Sequence, residues 1–160
     1  MTAGTLRFEV DDLTRPEVHR LLEEHLEDMY ATSPAESVHA LDLDALRGPG
    51  IEFWSAWEGC GGDAELRACG ALKDLGDGVV ELKSMRTAAG ARGRGVGSAV
   101  LMHLLGTARA RGAEQVMLET GVEDYFAPAR RLYARHGFVE RPPFGDYRPD
   151  PHSVFMELTL

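Results

Sequence analysis

Apolar residues in the first part of the chain recur every three to four positions. Val18, Leu21, Leu22, Leu26 and Met29 share one face of a helix predicted over about 15–30, packed on that face. Thr14-Arg15-Pro16-Glu17 reads as its capping box, with proline in the first turn. A second, shorter helical stretch is predicted from Ser33-Pro34-Ala35-Glu36 to about Leu46, stopped by Gly48-Pro49-Gly50. The period then changes. Residues 51–57 and 65–75 read as strands joined by a glycine-rich hairpin loop at 59–63, and a turn at Gly76-Asp77-Gly78 leads into a third strand of the meander over 79–85. Val96, Val100, Leu101, Leu104, Leu105 and Ala108 return to helical spacing and end near Arg111-Gly112. Residues 115–120 form a short apolar strand, so strand, helix and strand make a βαβ unit with a parallel pairing. Pro128 opens a last helix carrying Ala129, Leu132 and Tyr133, closed by Gly137. Phe138 starts a strand that residues 141–145 break, and 153–160 alternate as the final one. Neither repeat nor linker interrupts the pattern, which predicts one mixed α/β domain over 1–160.

Composition narrows the function classes. The 160 residues are 44% hydrophobic, with no apolar run near membrane-spanning length, and residues 1–10 lack the basic-then-apolar order of a secretory leader, which points to a cytoplasmic address. A net charge of −9 repels nucleic acid and anionic lipid, so neither is expected as a partner. Cys60 and Cys69 fit neither a disulfide framework nor a zinc site and read as free thiols. The six histidines are scattered without metal-binding spacing, so no metal is expected.

Against that acidic background, one segment concentrates positive charge. Residues 84–97, SMRTAAGARGRGVG, lead from a strand into a helix through a loop suited to phosphate. Gly93, Gly95 and Gly97 allow positive φ and close approach to the backbone amides, at the helix end where the dipole favours an anion. The guanidinium groups of Arg92 and Arg94 add forks that match phosphate oxygens. A P-loop is excluded because no lysine follows these glycines in register, and the dinucleotide fingerprint fails where its third glycine would fall, on Ser98. On this segment alone a solvated arginine–glycine loop remains an alternative.

Two motifs together decide the matter. Arg92-Gly93-Arg94-Gly95-Val96-Gly97 matches Q/R-x-x-G-x-G/A, and residues 129–138, ARRLYARHGF, match A-x-x-L-Y-x-x-x-G-F. In this order and separation, with a strand upstream, they make the chain from about Phe53 onward resemble the GNAT family of N-acetyltransferases. Residues 37–41, 81–87 and 153–156 further resemble a bacterial acetyltransferase subgroup for which indole-acetic acid is sometimes named as substrate.

The resemblance implies a largely antiparallel central sheet, flanked by helices, in which two parallel strands splay apart. It implies acetyl-CoA as cofactor. The backbone of Met85, Arg86 and Thr87 would meet the thioester and its arm, and the turn from Arg92 through Gly97 to Ser98 would hold the pyrophosphate. Glu81 is the expected base that deprotonates the amine, with Glu119 in reserve, and Tyr133 the expected proton donor to the leaving sulfur. The family often has Asn where this chain has Phe126, so its polar contact would pass to Glu123 or Asp124. The acceptor is expected to be a small molecule with a primary amine, set between the N-terminal helices and the 141–152 loop and lined by Ser37, His39, Trp54, Glu119 and Tyr147. A homodimer is compatible with this reading. The competing readings are an acyl-CoA-binding module without turnover and a protein lysine acetyltransferase.

Overall fold

The computed structural model describes residues 5–160, so Met1 to Gly4, the start of the segment read above for a leader, lie outside the described residues. Seven strands form one sheet: β1 (Leu6–Val10), β2 (Ile51–Glu58), β3 (Glu65–Gly76), β4 (Val79–Thr87), β5 (Gln115–Gly121), β6 (Val139–Arg141) and β7 (Ser153–Thr159). Their order is β1-β2-β3-β4-β5-β7-β6. Helices α1 (Pro16–Thr32), α2 (Leu43–Leu46), α3 (Val96–Ala110) and α4 (Ala127–Arg135) flank it. Every neighbouring pair is antiparallel except β4–β5, which is parallel, so the sheet has the mixed, mostly antiparallel form anticipated.

Strand alternation sends successive side chains to opposite faces, and each face has its own cover. On one, α3 and α4 pack Val100, Leu101, Leu104 and Tyr133 against Leu72, Val80, Leu82, Val116 and Leu118. On the other, α1 and α2 bring Val18, Leu21, Leu22 and Leu46 to Phe53, Trp57, Cys69 and Ala71. Full burial of a leucine stabilises by about 1.5–3 kcal/mol. A third cluster, Met117, Phe144 and Phe155 with Tyr147 against it, holds the loop before β7 onto the sheet.

The parallel pairing is short. It runs Val79↔Gln115, Val80↔Val116 and Glu81↔Met117, while β4 continues to Thr87 and β5 to Gly121 without a ladder between them. A bulge accompanies this divergence. Cys69 pairs with Arg86 but Ala71 with Lys83, so Gly70 alone faces both Ser84 and Met85, and Ser84 takes φ 54°. Gly70 is needed here: a Cβ on it would lie 2.7 Å from Leu104 Cδ1 of α3 and 3.0 Å from Met85 Sδ. The Cys69 thiol donates to the Ser84 carbonyl at 3.3 Å, and burial pushes it up to about 12, which keeps it unreactive.

Several local expectations change. The chain begins with an edge strand, β1, that the periodicity reading passed over. Arg15, not Thr14, occupies the N-cap of α1 without a side-chain bond, because the Thr14 hydroxyl donates to Asp12 at 2.6 Å. The stretch 33–46 is not one helix: a single 3₁₀ turn over Ala35–Ser37 and the four-residue α2, capped by Asp42 on the Ala45 amide at 2.9 Å, are separated by extended chain. Among the described residues no helix is long and apolar enough to cross a membrane.

Candidate active site

Where β4 and β5 part, a cleft of about 530 Å³ opens along β4, the start of α3 and one side of α4. Gly93 and Gly95 take φ 76° and 77°, and a Cβ at either would meet nothing within 4 Å, so the concave side of the turn is open space. Gly95 is the N-cap of α3 and supplies no side-chain cap, which leaves the first amides of the helix available to an anion. Arg92, Arg131 and Arg135 line the same cleft. These features fit the pyrophosphate of coenzyme A, and Met85, Arg86 and Thr87 line the length in which β4 has no strand partner on its β5 side.

From Arg92 to Ser98 every residue except Arg94 lines the cleft, as expected. Gly97 lies inside α3 rather than at positive φ; its missing side chain leaves room for Leu132 and Thr87, 3.4 and 3.5 Å from where a Cβ would be. Arg94 turns away and pairs with Glu58 of β2 at 3.3 Å. Ser98 lines the cleft, and its hydroxyl bonds His136 Nε2 at 2.9 Å, tying α3 to the end of α4. The Arg86 side chain also points elsewhere, to Asp28 of α1 at 2.7 Å and the Tyr125 hydroxyl at 3.1 Å, which leaves its backbone for a ligand.

At its inner end this cleft meets a narrow junction of about 100 Å³, where Met85 and Tyr133 are shared by both. Glu81, His39 and Tyr147 in turn line both the junction and an outer cavity of about 460 Å³ under the 144–150 loop. The junction is dense in proton-exchanging groups. Glu81 is 3% exposed. Its Oε2 accepts from the Tyr147 hydroxyl at 2.6 Å and from Lys83 Nζ at 3.1 Å, and Lys83 also donates to the Tyr147 oxygen at 2.8 Å. Glu119, on β5, accepts from the Ser153 hydroxyl at 2.8 Å and is bonded to His39 Nδ1. Burial holds the Glu119 carboxyl above the ordinary carboxylate range, against the opposing pull of Ser153 and His39. Burial also pushes the Tyr133 phenol well up, and for Tyr147 the Glu81 charge adds to burial, so both hydroxyls keep their protons at neutral pH.

The acceptor residues expected from sequence divide. His39, Glu119 and Tyr147 come together at the junction, His39 carried there by the extended chain that interrupts 33–46. Ser37 is buried behind the outer cavity, where it bonds Asp150. Trp54 lies on the opposite face of the sheet, with its indole N–H on Glu52 at 2.7 Å and its ring edge-on to His103 of α3. Phe126 seats its ring over Gly121, where a Cβ would fall 2.2 Å from Cδ2, and Glu123 Oε1 bonds His152 Nδ1 at 3.0 Å.

Sequence reasoning missed Lys83, Arg131 and Arg135, while His25, on the apolar face of the predicted first helix, reads by sequence as a core histidine before a catalytic one. Lys83 follows Glu81 by two, which in a strand puts it on the same face, and Arg131 and Arg135 stand one helical turn apart. His25 lines both the cleft and the junction, and burial, helped by the Arg86 charge, pushes its imidazole down to about 4. A histidine depressed in the folded state binds its proton more readily when unfolded, so it stabilises fully above about pH 6.5 and progressively less as pH falls toward 4. The difference is about 3 kcal/mol. Urea titrations should show His25→Gln flattening the loss of stability across that interval; an unchanged slope would mean the imidazole is well solvated.

The comparisons agree with this geometry. Residues 18–138 match the Acetyltransferase (GNAT) family. The N-acetyltransferase YsnE of Bacillus subtilis is 50% identical over 155 residues, covering 97% of this chain and 100% of its own. The IAA acetyltransferase of Azospirillum brasilense is 41% identical over 140 residues, covering 87% of this chain and 86% of its own. Among solved structures, an acyl-CoA N-acyltransferase from Klebsiella pneumoniae superposes with a TM-score of 0.75 at 27% identity, covering 97% of each chain. With both motifs at the mouth and floor of the β4–β5 cleft, this chain belongs to the GNAT family and is an acetyl-CoA-dependent N-acetyltransferase.

Proposed function

We propose that the enzyme acetylates the primary amine of a small molecule, by direct attack of the amine, and that residues 1–160 act as one catalytic domain. The observation that carries this reading is the run of three adjoining cavities that share lining residues, with the cofactor cleft on one side of the Glu81–Glu119 junction and an open cavity beneath the 144–150 loop on the other. Acetyl-CoA supplies the acetyl group as a thioester. Arg92 to Gly97 and the amides of α3 bind its phosphates, and the free edge of β4 at Met85 to Thr87 aligns its arm and polarises the carbonyl. Glu81 takes the amine proton, Glu119 serves as the second acceptor beside His39, and Tyr133 holds a phenolic proton for the departing sulfur. A folded protein would have to thread a lysine beneath the 144–150 loop. The name of the Azospirillum relative also favours a small acceptor.

The raised Glu119 carboxyl sets the pH dependence. Activity that needs it ionised is lost as pH falls through a value above the usual carboxylate range. The acidic limb of kcat/KM should therefore lie above pH 4.5 and move in Glu119→Gln; an unmoved limb assigns it to another group. The function itself is tested with free-thiol detection and acetyl-CoA over amines, amino acids, polyamines and folded proteins. Efficient acetylation of intact proteins, with the free amines ignored, would overturn the reading.

A further inference from the structure

We propose that the acceptor carries a carboxylate in addition to its amine, bound by Lys73 and Arg148. The inference rests on the small-amine reading and narrows it to amino acids and close analogues. Lys73 stands directly opposite Glu81 in the β3–β4 ladder, so both side chains leave the same face of the sheet. Residues so placed have Cβ atoms about 4.5–5.5 Å apart, near enough for an ion pair. Yet Glu81 is engaged by Lys83 and Tyr147 instead. Lys73 is half-buried in the wall of the outer cavity, with no ion pair or side-chain hydrogen bond among the described residues. Arg148, an exposed residue of the loop over the same cavity, likewise makes no ion pair or side-chain hydrogen bond among the described residues.

The cavity's carboxylates do not answer these two cations. Asp150 is held by the His152 amide and Ser37, while Glu36 and Asp146 are exposed to water. An ammonium withdrawn from water gains most from a bound anion, and a guanidinium fork matches the two oxygens of a carboxylate. The polarity of the chamber then orients its guest. The amine goes to Glu81 and Glu119 at the inner end and the carboxylate to Lys73 and Arg148, while Phe144 and the Tyr147 ring supply an apolar wall. A volume of about 460 Å³ suits a molecule of amino-acid size.

The test pairs acceptors that differ only in the acid. With acetyl-CoA saturating, kcat/KM for phenylalanine should exceed that for phenylalanine amide and for phenethylamine by about 10-fold or more. Lys73→Met keeps the aliphatic stem and removes the charge, and should lower the phenylalanine-to-phenethylamine ratio about 10- to 100-fold. A merely structural role would lower both equally and leave the ratio intact. Phenylpropionate, which has the acid but no amine, gives an independent readout by calorimetry. It should bind the wild type and lose at least 10-fold in affinity in Lys73→Met. Equal use of acid and amide, or a ratio unmoved by the substitution, overturns the carboxylate proposal while leaving the amine reading standing. If no free amine is acetylated but phenylpropionate still binds through Lys73, the amine reading fails and the anion site survives.

Discussion

Replacing Tyr133 by Phe is expected to lower kcat by about 10²- to 10⁴-fold, with affinity for acetyl-CoA nearly unchanged. The substitution removes only an oxygen. Tyr133 is 7% exposed, its ring is tilted against Phe138 with centroids 5.6 Å apart, and it belongs to the core under α4. Phe preserves that packing, so stability and cofactor binding should hold. What disappears is the phenol of the one tyrosine, among the described residues, that lines both the cofactor cleft and the junction. Burial makes that proton hard to lose unaided, which suits a group that releases it only as negative charge develops beside it. Single-turnover measurement of thiol release separates chemistry from product departure. A variant with full kcat would show that the hydroxyl is a passenger of the core.

Gly95→Asp is expected to abolish useful cofactor affinity, with a loss on the order of 10²-fold or more, about 3 kcal/mol. Two effects combine. A non-glycine residue at φ 77° is strained by roughly 1–2 kcal/mol. In addition, a carboxylate would stand at the uncapped start of α3, where the phosphates belong. The space around the site is open, so the variant should fold. Gly95→Ala adds the strain without the charge, and the gap between the two variants, read as CoA affinity by calorimetry, isolates the electrostatic part. Wild-type affinity in a folded Gly95→Asp protein would remove the turn from the binding site.

Much of the fold was legible because alternation and helical period are local signals. The meander, α3, α4 and the parallel crossover follow from residues within one window of each other. β1 escaped because Leu6, Phe8 and Val10 are only three alternating apolar positions at an edge, and they gain meaning by pairing with β2, more than forty residues later. The helix expected over 33–46 failed because Ser37 and His39 are held by Asp150 and Glu119 from the far end of the chain. Those contacts are invisible to any local rule.

The site shows the same division. The glycine turn and Tyr133 announce themselves by spacing, whereas the side-chain directions of Arg94 and Trp54 do not. Arg94 had a phosphate and Glu58 to choose between, and Trp54 sits on a strand with apolar residues on both faces, so alternation could not say which face roofs the chamber. Lys83 and Lys73 carry an ordinary surface pattern. The i, i+2 spacing on β4 makes Lys83 available to Glu81, but only the β3–β4 register brings Lys73 opposite the same carboxylate, where the Lys83 and Tyr147 bonds leave it without a partner among the described residues.

Gly70 joins two parts of the machine that look separate. The same missing methyl group makes room for the Ser84–Met85 bulge and for Leu104 of α3, and α3 is the helix whose uncapped first turn opens on the cleft. Any side chain at position 70 must displace one neighbour or the other. The bulged stretch of β4 and the start of α3 are thus gauged against a single point, like two jaws of a caliper with a common stop. A side chain at position 70 would therefore alter the spacing at both ends of the cleft at once.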